Sequence, residues 1–153
     1  MNMNTEFSKN MWKRLIVLVL FTFHFSLFTL SFAQSDSLVF KGKFMSQEPR
    51  MNLVLNLYED KIDVPGLEGL ETCYGYLNGN INGMWVILKV KKLEEKKALV
   101  RAACDRGNEA VDLEITLTED GVAVKQMENC IKCVAGNKYV KMPPTVSLKH
   151  IGK

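Results

Sequence analysis

Aliphatic and polar residues alternate strictly along residues 111–118, with aliphatic residues at the odd positions and polar residues at the even ones. Side chains two residues apart point to the same face of a β-strand, so this period predicts a strand with one buried and one solvated face. The segments 38–44 and 51–58 repeat the pattern, and 84–91 and 98–104 follow it less regularly. We find no convincing amphipathic helix after residue 33, so the sequence predicts an all-β fold.

Turn signals separate these segments at short intervals. Asp120-Gly121 is the strongest hairpin signal, because this dipeptide tolerates the positive φ angles of tight turns. Short connections make successive strands neighbours, so we expect a meander of about eight or nine antiparallel strands in a closed or partly open barrel. A two-sheet β-sandwich is the alternative. The longer connection 65–72 is expected to cap one end of the barrel as a helical turn.

The first 33 residues have the organisation of a secretory signal peptide. Lys13 and Arg14 precede an uncharged apolar stretch at 15–30, and the small residues Ser31 and Ala33 then offer a cleavage site. We predict that residues 1–33 are removed and that residues 34–153 form one domain, exported to the periplasm or the extracellular space. Met11 is an alternative start of the chain.

A membrane anchor is the alternative interpretation of the leader. Residues 15–34 carry no charge and come close to the roughly 20 residues that a spanning helix needs. The cleavage site favours a signal peptide, as does Asp36, an acidic residue where an anchor has a basic cluster. Cleavage would leave the exported chain without a membrane span.

Net charge argues against nucleic acid as a partner. The whole chain has a formal charge of +3, and the leader holds three of its 20 Lys and Arg residues and one of its 17 Asp and Glu residues. The remaining domain therefore has a net charge of +1, which gives no strong electrostatic reason to bind a polyanion.

All four cysteines follow the leader, and export to an oxidising compartment predicts disulfides among them. They are Cys73, Cys104, Cys130 and Cys133, which allow three pairings. Cys104 can reach Cys130 or Cys133 if the loop around 128–137 folds back. Cys130 and Cys133 also form a C-x-x-C, for which a thiol–disulfide active site is the alternative. The spacing of the other two cysteines does not match a zinc site, so no metal is expected.

The sequence contains few of the residues and motifs on which enzyme active sites are built. His150 is the single histidine after the leader, and no H-E-x-x-H, P-loop or G-x-S-x-G motif is present. Asp112 and Glu114 share one face of a predicted strand, where a solvated face is the simpler interpretation of the two carboxylates. We therefore expect a non-enzymatic protein without a cofactor.

Three aromatic residues form the candidate ligand-binding surface. Tyr74 and Tyr76 share a strand face, and Trp85 joins them only in one register across the Asn- and Gly-rich loop 78–83. The leading hypothesis is an exported binding module for a small apolar molecule, a glycan or a protein. A redox protein using the C-x-x-C is one alternative. A small secreted inhibitor that presents the loop 78–83 is the other.

Overall fold

The computed structural model describes residues 39–152 except Glu71 and Asn129, and within that range the chain forms ten β-strands and no helix. The leader predicted at 1–33 lies outside the described residues. The strands are β1 (Lys41–Gln47), β2 (Arg50–Asn56), β3 (Gly75–Gly79), β4 (Trp85–Leu93), β5 (Lys97–Cys104), β6 (Ala110–Leu117), β7 (Gly121–Gln126), β8 (Lys132–Ala135), β9 (Lys138–Lys141) and β10 (Thr145–His150).

Eight strands close into one antiparallel barrel. The order around it is β1, β10, β7, β6, β5, β4, β3 and β2, and β2 pairs back onto β1. Each strand from β1 to β6 pairs with the next one in sequence, which is why most connections are short. β8 and β9 pair only with each other in a two-stranded sheet. The predicted all-β barrel is confirmed, and the sandwich alternative is wrong.

The interior of the barrel is a packed core. Most inward side chains of its strands are fully buried, as Leu53, Val100 and Leu113 illustrate at 0% exposure. A barrel of eight strands is just wide enough for its own side chains to fill it. Among the described residues the inner face is therefore core, and binding surfaces have to be sought on the outside.

Strand β4 departs from simple alternation because both of its faces are covered. Trp85 and Ile87 point inward, while Val86 on the outer face is buried under Val64. Register shifts after Ile87 and Val90 then reset which side chains face the core.

The connection 65–72 does not cap the barrel. Val64 and Leu67 belong to a small apolar cluster that includes Val86 on the outer face of β4, so this connection lies against the side of the barrel. Its described residues form turns and no helix. The expected cap was wrong because Leu67 packs with Val64 and Val86 on the outer face, while Leu70 is exposed.

The segment between β7 and β10 closes one end of the barrel instead. We call this the upper end; it also carries the β1–β2 turn, the loop 80–84 and the turn 105–109. Ile131, Cys133 and Met142 from this segment are buried and belong to the main core. The hairpin of β8 and β9 is therefore anchored by its inner residues while its other face is exposed.

Gln126 fixes both ends of this segment. Its side chain is 6% exposed, and its Oε1 accepts from the Ile131 N–H at 3.2 Å. Its Nε2 donates to the Met142 carbonyl at 3.3 Å. Ile131 precedes the β8–β9 hairpin and Met142 follows it. One buried side-chain amide therefore provides a hydrogen-bond partner for the backbone both where the chain leaves the barrel and where it returns.

In the part of the chain that the structure describes, no helix has the length and apolar character needed to cross a membrane.

Candidate functional site

The three predicted ligand-binding aromatics do not form one patch. Tyr76 pairs with Val86 and Leu77 pairs with Trp85, so Trp85 shares a face with Leu77 and not with Tyr76. Trp85 is 0% exposed inside the barrel. Tyr76 is half-buried on the outer face against the Val64 cluster, and Tyr74 packs against the main core. Ligand binding by these residues stays a prediction, without the shared surface that motivated it.

A cleft of about 350 Å³ opens at the upper end. It lies where the loop 80–84, the turn 105–109 and the β8–β9 hairpin meet, and we call it the hairpin cleft. Small-molecule sites in proteins begin at about this size. The residues that line it are Asn82, Cys104, Arg106, Gly107, Asn108, Glu109, Lys132 and Tyr139.

Asn82 holds the walls of the hairpin cleft together. Its N–H donates to the Lys132 carbonyl at 2.8 Å, and its Oδ1 accepts from the Lys132 N–H at 2.7 Å. Its own carbonyl accepts from the Trp85 Nε1–H at 3.0 Å. The same residue therefore fixes the start of β8 and rests on the largest buried side chain of the core. This bonding pre-forms the cleft without a ligand.

Further contacts of the loop 80–84 also hold the walls of the hairpin cleft in place. The Val134 N–H donates to the Asn80 carbonyl at 2.9 Å, and Ile81 forms an antiparallel bridge with Cys133. On the other wall, the Met84 N–H donates to Asp105 Oδ1 at 2.7 Å. Gly83 has a φ of 75°, and a Cβ there would lie 2.6 Å from that carboxylate oxygen. Glycine is needed here both for the backbone conformation and for the close approach.

The residues that line the hairpin cleft are mainly polar or charged, and Tyr139 is the aromatic one among them. Arg106 and Lys132 supply two cationic groups, Glu109 supplies a carboxylate, and Asn82 and Asn108 supply amides. The Asp105 carboxylate lies just behind the lining, 3.8 Å from Cys104 Sγ. The ring of Tyr139 is 60% exposed at the rim. Such a lining suits a polar or anionic ligand better than an apolar one.

The cysteines fall into two separate regions. Cys104, Cys130 and Cys133 belong to or pack against the main core at the upper end, whereas Cys73 lies in the outer cluster with Val64. Counting residues along the strands and strands across the sheet places Cys73 on the order of 15 Å from Cys104. The segment predicted to fold back does so from residue 130 onward, since Ile131 and Cys133 are buried in the main core. All four are free thiols in the structure, and disulfide formation stays a prediction.

The environment of the C-x-x-C does not activate a thiol. Burial, followed by the Glu128 and Glu109 carboxylates, raises the pKa of Cys130. Burial also raises the pKa of Cys133. Redox-active thiols need the opposite shift, which a helix N-terminus or nearby cations provide. Here the motif leads into strand β8.

The carboxylate pair singled out in the sequence is committed to surface ion pairs. Asp112 contacts Lys91 and Arg101, and Glu114 contacts Lys97 at 3.4 Å. The hydrogen bond from Lys91, its largest influence, lowers the pKa of Asp112, so this group is ionised at neutral pH. A general acid needs a raised value. The solvated-face interpretation therefore fits the structure.

The His150 ring packs edge-on against Phe44, with ring centroids 5.2 Å apart, at the end of the last strand. Within the described residues, no group of three or more His, Cys, Asp and Glu side chains is arranged to hold a metal ion.

Sequence reasoning missed Asn82, Arg106 and Gln126. The signal for Gln126 was present, because it continues the inward positions of Val122 and Val124 as a polar residue. Nothing in the sequence distinguishes Asn82 from the other asparagines of its loop.

No family model, curated protein or solved structure matches this chain.

Proposed function

We propose that this protein is an exported, non-enzymatic binding module whose ligand occupies the hairpin cleft. The observation that carries the proposal is the contrast between a packed barrel interior and a pre-formed polar cleft at its upper end. The barrel supplies a rigid frame, and Asn82 positions the cleft walls on that frame. Rigid support lowers the entropy lost when a ligand binds.

A glycan with a carboxylate fits the lining best among the ligand classes considered. Arg106 offers paired donors to a carboxylate, while the amides of Asn82 and Asn108 suit hydroxyl groups. The exposed Tyr139 ring suits the face of a sugar. A small apolar molecule would leave these polar groups unpaired, and the core that might have enclosed it is occupied by side chains.

The two alternative functions receive less support. A redox role requires a reactive thiol at Cys130, where burial and two carboxylates raise the pKa. We expect the protein not to reduce insulin. An inhibitor would present the loop 78–83 as a free projection, but Ile81 in that loop is buried and Asn82 is bonded to β8.

Export would place the three upper-end thiols in an oxidising compartment. Two disulfides would use all four cysteines, so one of them would have to include Cys73. A disulfide needs its two Cα atoms within about 7 Å of each other, and Cys73 lies farther than that from the other three. We therefore expect at most one disulfide, formed among Cys104, Cys130 and Cys133. Periplasmic or extracellular localisation rests on the predicted leader.

The hairpin cleft can be tested by titration with neutral and uronic-acid oligosaccharides, followed by calorimetry and amide NMR shifts. We expect the acidic sugars to bind and to shift the amides of Asn82 and Arg106. Tyr139→Ala and Arg106→Ala should each weaken binding about tenfold, the equivalent of about 1.4 kcal/mol. The reason is the loss of ring stacking in one variant and of a charged donor in the other.

Tyr58→Ala is the matched control, because Tyr58 is 54% exposed at the opposite end of the barrel. Its affinity should equal that of the wild type. If no sugar shifts the Asn82 or Arg106 amides, the glycan proposal is rejected. Equal losses in Tyr58→Ala and Tyr139→Ala would also reject the cleft as the site.

The disulfide expectation has its own measurement. Protein purified without reductant is unfolded, alkylated with iodoacetamide and weighed by mass spectrometry. We expect Cys73 to be alkylated and the intact mass to show the loss of no more than two hydrogen atoms. Two disulfides, or a peptide that links Cys73 to another cysteine, would contradict the placement of Cys73 in the outer cluster.

A further inference from the structure

Strand β9 has one edge that the rest of the described chain does not use. The backbone groups of Lys132 and Val134 in β8 bond to Asn82 and Asn80, away from β9. Backbone groups alternate in direction along a strand, so Cys133 and Ala135 are the residues of β8 that bond to β9. Their partners in the register are Val140 and Lys138.

The other residues of β9 therefore direct their backbone outward. Tyr139 and Lys141 present their N–H and C=O groups on the side opposite to β8. In the described part of the chain, no strand pairs with that side. Every barrel strand has a neighbouring strand on both sides along at least part of its length, whereas β9 pairs on one side only.

The side chains around this edge are basic, which favours an acidic partner. Lys138 and Lys141 lie on β9, and all four residues of the strand are exposed. The sequence from 129 to 153 contains five lysines and no Asp or Glu. Tyr139 and Val140, 60% and 45% exposed, add apolar surface between the charges. The edge therefore combines backbone donors and acceptors, apolar contacts and positive charge.

We propose that the outer edge of β9 binds an extended, acidic segment of a partner protein as an added antiparallel or parallel strand. Main-chain hydrogen bonds to Tyr139 and Lys141 would provide the pairing, and the lysines would select acidic side chains. A second copy of the chain fits less well, because two β9 edges would bring like charges together. This edge shares the Tyr139 side chain with the hairpin cleft, but its backbone pairing does not depend on the ligand proposed there.

The test uses a fluorescent synthetic octapeptide of alternating Glu and Val. The first comparison peptide carries N-methyl groups on alternate residues, which removes backbone donors and keeps the charge. The second replaces Glu with Lys. We expect the acidic peptide to bind, N-methylation to weaken binding about tenfold or more, and the Lys peptide not to bind. Hydrogen exchange should slow at the Tyr139 and Lys141 amides.

Two variants of Tyr139 separate the contribution of its backbone N–H to peptide binding from that of its side chain. Tyr139→Pro removes the outward N–H and leaves the bonds to β8, whereas Tyr139→Ala removes the ring and keeps the N–H. We expect Tyr139→Pro to bind the acidic peptide about tenfold more weakly than Tyr139→Ala does. The Cys133 and Ala135 amides must keep their exchange protection in both variants, which shows that the hairpin is intact.

Three outcomes would overturn the proposal: equal binding of the N-methylated peptide, equal binding by Tyr139→Pro and Tyr139→Ala, or dimerisation through β9 without peptide. Arg106→Ala distinguishes this surface from the hairpin cleft, because it should weaken sugar binding and leave peptide binding unchanged. Failure of sugar binding would therefore not affect the β9 proposal, and failure of peptide binding would not affect the cleft.

Discussion

Trp85→Ala is expected to lower the free energy of unfolding by about 3–5 kcal/mol, a large share of the roughly 5–15 kcal/mol typical of a domain. Trp85 is 0% exposed and heads the set of largest buried side chains. Its removal leaves a cavity beside Leu77, its cross-strand partner, and takes the indole N–H from the Asn82 carbonyl. Urea unfolding followed by far-UV circular dichroism measures the loss.

Trp85→Phe separates packing from hydrogen bonding. Phenylalanine keeps much of the apolar volume, so the expected loss is smaller, about 1–3 kcal/mol, and it includes the unpaired Asn82 carbonyl. Leu88→Ala, at a 40% exposed position on the same strand, should change stability by about 0.5 kcal/mol or less. A Trp85→Ala loss below that of Leu88→Ala would show that Trp85 is not a core residue.

Gln126→Leu is expected to cost about 2–4 kcal/mol although leucine is the more hydrophobic residue. The change leaves the Ile131 N–H and the Met142 carbonyl without their side-chain partners in a buried place. Each unsatisfied buried group costs about 1–3 kcal/mol. Urea unfolding gives the total, and hydrogen exchange at the Ile131 amide shows whether the loss is local.

Lys125→Leu is the matched control for Gln126→Leu, because Lys125 is the exposed neighbour on the same strand. It should change stability by about 0.5 kcal/mol or less. Gln126→Glu offers a second comparison, since it keeps an acceptor for the Ile131 N–H but loses the donor to Met142. Wild-type stability in Gln126→Leu would show that the buried amide does not hold the segment.

The barrel could be predicted because most of its strands have one buried and one exposed face. Strand β6, Ala110–Leu117, shows this plainly and matches the alternation seen at 111–118. Strand β4 shows it poorly, because Val86 is covered from outside and register shifts follow Ile87. The short strand β8 falls within the segment 128–137, which the sequence predicts to be a loop. Only Cys133 in β8 is buried, which leaves no period to detect.

The candidate site could not be predicted from the sequence. The cleft is lined by Asn82, Arg106 and Lys132, which come from three separate segments between barrel strands. Backbone hydrogen bonds between these segments bring them together. The aromatic patch depended on a register across the loop 78–83. The actual pairing of Leu77 with Trp85 turns the indole inward, and nothing in the composition of the loop determines that pairing.

Closure of the barrel joins the first strand to the last. The β1–β10 ladder has two register pairs, Phe44 with His150 and Met45 with Lys149, whereas the β1–β2 ladder has seven. A chain made from its N-terminus cannot form this seam until nearly all of it has been synthesised, and contacts so distant in sequence form slowly. Until then β1 is an open edge, so the nascent protein exposes a site for strand-to-strand association that closure of the barrel removes.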